Sequence, residues 1–104
     1  MNENFTENDW KTYKSILPIW QEKYISNLLR KYNEIINDCS DSSKRFWYLE
    51  NEINKDKNHP GVTVERKRSN MIPTLVTFLN DGVIGISDID DFSEELKETV
   101  KKFL

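Results

Sequence analysis

The sequence predicts an all-α fold, one domain over residues 1–104 arranged as a small bundle of four to five helices. Three observations lead there. Apolar side chains recur at helical spacing over several stretches instead of alternating as they would along a half-buried strand. The chain holds only 3 Gly and 3 Pro, too few for an all-β fold that turns about every 8 to 12 residues. Capping residues stand where the apolar periods begin and end. A chain of 104 residues, 12% of them aromatic, has apolar material for one core and for independent folding.

The strongest helical signal follows Pro18. At about 100° per residue, Trp20, Tyr24, Ile25, Leu28, Leu29, Tyr32, Ile35 and Ile36 fall in one half of the wheel. Glu22, Lys23, Ser26, Asn27, Arg30, Asn33 and Glu34 fill the other half, and only Gln21 and Lys31 trespass. An apolar arc this wide predicts a central helix that packs against two elements at once. Trp10, Tyr13 and Leu17 continue the same phase upstream. Proline lacks an N–H and clashes with the carbonyl four residues earlier, that of Lys14. The expectation is a helix over about residues 8–38, kinked near Pro18 or divided there into two nearly collinear pieces.

A polar run from Asn37 to Ser42 predicts a tight reversal, and helical spacing resumes from Lys44 to about Lys55. There Phe46, Leu49 and Ile53 share a core-facing stripe, with Trp47 about 100° and Tyr48 about 200° away from Phe46. Those three aromatics cannot all enter one core. Residues 54–68 read two ways: Val62 and Val64 alternate like a short extended segment near residues 62–66, while Pro60 after His59 would equally open a helix. Ser69 is the expected N-cap of a deeply buried helix ending near Asn80, with Met71, Ile72, Leu75, Val76, Phe78 and Leu79 as its apolar residues. Ser87, with Asp90 three positions on, resembles a capping box, so the last helix is expected to start there. Ile89, Phe92, Leu96, Val100 and Phe103 form its buried face, between an acidic start and the Lys101-Lys102 end.

Composition removes several chemistries. One cysteine, Cys39, forbids an internal disulfide, and with one histidine, His59, leaves too few ligands for zinc fingers or His-rich metal sites. His59 lies in Asp56-Lys57-Asn58-His59-Pro60, an expected exposed turn offering only Asp56 as a local partner. Cys39 precedes a candidate helix start, but a Cys-His pair would require these two residues to meet. Taking Gly82 as the sixth position of a calcium loop puts Asp88 at the twelfth, yet Thr77 and Leu79 then stand where ligands belong, and the acids from Asp88 to Glu95 read better as a helix start. No catalytic residue, metal or cofactor is assigned.

Two surface features remain. Residues 44–68 carry seven basic and four acidic side chains, among them Lys44, Arg45, Arg66, Lys67 and Arg68. Such residues suit phosphate or nucleic-acid contact, whereas the acidic whole (net charge −3) favours a solvated face. Trp47 and Tyr48 are surplus to the core-facing stripe, which suits contact with a protein partner or a second copy of the chain. Contact between proteins, including homodimer formation, is therefore the first expectation, and a nucleic-acid-associated accessory or regulatory role the alternative. The polar, acidic stretch Met1 to Asp9 lacks the features of a secretory signal, and the longest apolar runs fall far short of the roughly 20 residues that span a bilayer. A cytoplasmic protein without a membrane span is expected.

Leu17-Pro18-Ile19-Trp20-Gln21-Glu22, Phe46-Trp47-Tyr48-Leu49-Glu50, His59-Pro60-Gly61-Val62, Asp81-Gly82-Val83-Ile84 and Phe92-Ser93-Glu94-Glu95-Leu96 together resemble a group of short, uncharacterised helical proteins of Gram-positive bacteria. The likeness spans most of the chain. It implies a helical fold and brings no activity, cofactor or catalytic residue with it.

Overall fold

Capping decides where the first helix begins. In the computed structural model, which describes residues 4–104, the Asp9 N–H donates to Thr6 Oγ1 at 3.0 Å and the Thr6 N–H donates to Asp9 Oδ2 at 2.9 Å. This reciprocal pair satisfies two N-terminal donors and starts α1, Glu7–Ile36. Met1 to Glu3, the start of the polar stretch noted above, lie outside the described residues. Helix α1 runs through Pro18 without a break, which decides between the two forms expected there in favour of one helix. At 30 residues it is about 45 Å long.

Among the described residues three more α-helices follow: α2, Ser42–Asp56; α3, Arg68–Asn80; and α4, Glu94–Lys102, with a 3-10 turn at Ile86–Ile89 before α4. No strand forms among the described residues, and the architecture is a small all-α bundle. Residues 63–67 have no regular structure, so neither the helix nor a paired extended segment considered for this stretch is present; Val64 instead rests against the core as part of an irregular connection.

The core gathers at one end of α1. Trp10, Tyr13, Leu17 and Trp20 of α1 meet Met71, Leu75 and Phe78 of α3, Ile84, Ile89 and Phe92 of the connection, and Leu96 and Val100 of α4. This assembly is called the head. Beyond Trp20 the 57–67 connection rests on Gln21 and Tyr24, and past these α1 continues with α2 beside it, the two forming an antiparallel hairpin, the arm. From residue 21 to residue 56 the one buried side chain is Ile35. The molecule is accordingly a rod, 56 × 23 × 23 Å, with a radius of gyration of 16.7 Å against about 13 Å for a globular chain of this length. The wide arc of α1 thus meets its two neighbours in succession along its length, the head and then α2, and not both at one level.

Two boundaries differ from expectation. Lys67, not Ser69, is the N-cap of α3, and Ser69 lies in the first turn. The last helix starts at Glu94, not near Ser87. Asp88 Oδ2 accepts the Gly85 N–H at 2.7 Å and closes the 3-10 turn, while Ser93 caps α4 by accepting the Leu96 N–H at 3.2 Å. Ile89 and Phe92 are buried along with Leu96 and Val100, but Phe103 at the helix end is exposed. A 3-10 turn followed by a helix preserves the apolar spacing of one continuous helix, so periodicity does not see the break.

Asp9 ties these two helix starts together. Its carboxylate, almost wholly buried, accepts the Ser93 N–H at 2.7 Å and the Ser93 hydroxyl at 2.5 Å besides the Thr6 N–H. Burial pushes its pKa up, but the hydrogen bonds from Ser93 and Thr6 outweigh that and hold it below the ordinary aspartate value. A depressed folded pKa contributes stability that is present above the unfolded value, near 3.9, and is lost as pH falls through the folded value. Asp9→Ala is expected to lower the unfolding free energy at neutral pH by about 2–4 kcal/mol. Urea unfolding at a series of pH values tests the linkage, since the gap between wild type and variant must narrow below roughly pH 4.

Candidate interaction surface

The two sides of the arm differ in chemistry. Contacts fix which way each helix faces: Lys31 Nζ lies 2.5 Å from Asp56 Oδ2 and 3.6 Å from Glu52 Oε1, the Tyr32 hydroxyl donates to Asp56 Oδ2 at 2.7 Å, and Arg45 donates to the Ile36 carbonyl at the tip. On α1 the direction toward α2 is therefore centred between Lys31 and Tyr32, and on α2 the direction toward α1 is centred on Arg45, Glu52 and Asp56. Going about 90° round each helix from those centres reaches Ile25, Leu29 and Ile36 on α1 and Phe46 and Ile53 on α2. Because the helices are antiparallel, both rotations end on the same side of the arm.

That side is apolar and uncovered. Leu29 is 60% exposed, Ile36 50%, Phe46 62% and Ile53 40%. The expected core stripe of α2 therefore faces outward: of Phe46, Leu49 and Ile53, only Leu49 is half-buried. Trp47 and Tyr48 are also exposed, at 63% and 56%, and the Phe46 and Trp47 rings meet edge to face, 5.0 Å between centroids. The opposite side is ionic, a cleft lined by Lys31, Glu34, Asp38, Tyr48 and Glu52, with Lys55 bound to Glu52 at 2.7 Å. Between the two helices, burial pushes the Asp56 carboxyl up, but hydrogen bonds from Lys31 and Tyr32 outweigh it and hold the carboxyl low. Burial and then the same carboxylate raise the Tyr32 phenol.

Sequence reasoning singles out Trp47 and Tyr48 as surplus to the core, but Tyr48 lies on the ionic side, and the same reasoning assigns Ile25, Leu29, Ile36, Phe46 and Ile53 to the interior. The width of the α1 arc was the available signal: it is more apolar surface than α2 alone can cover.

The five basic residues do not form one patch. Lys44 and Arg45 are at the tip of the arm, whereas Arg66, Lys67 and Arg68 are beside the start of α1, about 40 Å away along that helix. Arg68 grips Glu7 through two hydrogen bonds of 2.7 and 2.6 Å and lies over the Trp10 ring. Lys67 pairs with Glu65 at 2.7 Å, and Arg45 donates to the Ile36 carbonyl at the end of α1 and to Ser42 Oγ.

His59 is not the solvent-exposed turn residue expected. Its ring is stacked on Tyr24, 4.4 Å between centroids, and is parallel to Phe78 at 6.1 Å. The Gly61 N–H donates to Nδ1 at 2.9 Å, which leaves Nε2 to donate to Asp81 Oδ2 at 2.8 Å. Asp81, not Asp56, is the carboxylate that its ring meets. Gln21 adds a hydrogen bond to the Pro60 carbonyl at 3.0 Å. These contacts pin the residue 57–67 connection to α1 where head and arm join. Cys39 is exposed at the arm tip, roughly 20 Å along α1 from the His59 level, so no Cys-His pair forms. Among the described residues no group of three or more His, Cys, Asp or Glu side chains is placed to hold a metal ion. In addition, no helix among them is long and apolar enough to cross a membrane.

Comparison with family models, with curated proteins and with solved structures returned no match. The surface must therefore be read from its own chemistry.

Gly61 is the tightest point of the junction, because a Cβ built there would run into the Tyr24 ring. Gly61→Ala is expected to destabilise the protein by about 1–3 kcal/mol through overpacking. Thermal unfolding followed by circular dichroism checks this, and a midpoint equal to wild type would contradict the geometry.

Proposed function

We propose that this protein is a non-enzymatic contact domain of the cytoplasm that works by binding protein through the apolar side of its arm. One observation carries the reading: a face formed by Leu29 and Ile36 of α1 with Phe46 and Ile53 of α2, flanked by the half-buried Ile25 and rimmed by Trp47, lies open to solvent. The largest exposed apolar patch of a protein is often functional, and aromatic residues dominate the energetics of binding surfaces. The head supports this role as a mount, since twelve of its side chains pack into one buried core. The lone thiol of Cys39 is in keeping with a reducing compartment.

The two basic clusters give the nucleic-acid alternative less support, separated as they are by the length of α1 and largely held by neighbouring groups. A photo-crosslinking amino acid placed at Leu29 is expected to trap protein in living cells, and one placed at Glu98 on the exposed side of α4 is not. Equal yields from both positions, or adducts to nucleic acid alone, would count against the reading.

A further inference from the structure

We infer that the occupant of the apolar side of the arm is a second copy of this chain, with the two hairpins packed face to face in opposite directions to complete a four-helix bundle. The inference rests on the contact reading above and names the partner.

Charge is the first argument. In a two-fold contact every surface meets its own copy, so a net charge on the contacting part repels itself. Residues 21–58, the arm and its base, carry seven basic and seven acidic side chains and are neutral, while the whole −3 of the chain falls on the remaining residues. Of the ionic groups of the arm, Lys31, Glu52, Lys55 and Asp56 satisfy one another in and beside the contact between its two helices, while Glu50 borders the apolar side next to Phe46 and Ile53. An acidic or basic partner would leave this neutral face without charge complementarity.

Area is the second. The exposed fractions of Leu29, Ile36, Phe46 and Ile53, with Trp47 at the rim, leave roughly 300–450 Å² of apolar side chain on each copy. Doubling this, and allowing the usual apolar share of an interface, gives roughly 1,000–1,500 Å² in total, which meets the size of a specific contact. Two antiparallel helices with one apolar side are half of a four-helix bundle, and a second identical half closes it. Direction follows from side-chain size. The tip layer of the arm holds Ile36 and Phe46, the base layer the smaller Ile25, Leu29 and Ile53. Opposed directions set tip against base, large against small, whereas parallel packing would crowd the aromatic ends together.

Sedimentation equilibrium of the purified full chain tests this. A mass twice the 12.4 kDa of one chain is expected. Leu29→Glu should weaken association at least roughly a hundredfold, because the two-fold buries the new carboxylate twice. Ile19→Glu, exposed on the other side of α1, should leave the dimer intact. Under mild oxidation no Cys39 disulfide should form within the dimer, since opposed arms hold the two thiols apart. A wild-type chain that is monomeric at every concentration reached would overturn the inference, as would a dimer indifferent to Leu29→Glu; an efficient Cys39 crosslink would overturn the opposed arrangement. If the chain is monomeric while the Leu29 photo-crosslinker captures a different protein, the self-contact fails and the contact reading stands. A monomer without such capture ends both.

Discussion

The length of α1 is the constraint on which the rest of this structure depends. A single helix of 30 residues, about 45 Å long, outruns any core that a chain of 104 residues can build around it. The α3, 3-10 and α4 elements enclose its first four turns and consume nearly all the fully buried side chains of the protein. What remains is a helix still apolar over half its circumference with one partner, α2, to cover it. A hairpin of two helices cannot turn both apolar stripes inward when the contact between them is already occupied by Lys31, Tyr32, Glu52 and Asp56. The exposed face is the residue of that geometry.

Head and arm are joined by means that differ from core packing. Asp9 binds the start of α1 to the start of α4 through a buried carboxylate and Ser93, so two helix termini that would each leave donors unpaired share one acceptor group. At the other end of the head, His59 lies between the Tyr24 and Phe78 rings and bonds both Gly61 and Asp81. The lone histidine of the chain is thus engaged in holding the connection between α2 and α3 against α1. Its polar sequence neighbours give no hint of this, because all the partners of its ring except Gly61 are distant in sequence.

The helices were legible where local signals agree. The phase that runs from Trp10 through Ile36, the polar break at residues 37–42 and the helical spacing after it lead directly to α1 and α2. The start of α4 was not legible, since Ile89 and Phe92 keep helical spacing across a 3-10 turn. The surface was partly legible: Trp47 stands out as a surplus aromatic, as does Tyr48 on the ionic side, but Phe46 and Ile53 carry the same period as genuine core residues. Periodicity records which side chains share a face and is silent on what lies opposite that face.

By itself, then, the sequence determined the helical class, the continuity of phase through Pro18 and the capping signals, because these depend on residues within a few positions of one another. Only the tertiary structure decided that the wide arc of α1 is covered in succession by the head and by α2. It also decided that Arg45 and Arg68 stand at opposite ends of a rod and that the apolar stripe of α2 faces outward. Those outcomes depend on how many elements are left to pack at each level of the long helix, a count set by the whole chain and invisible in any window of it.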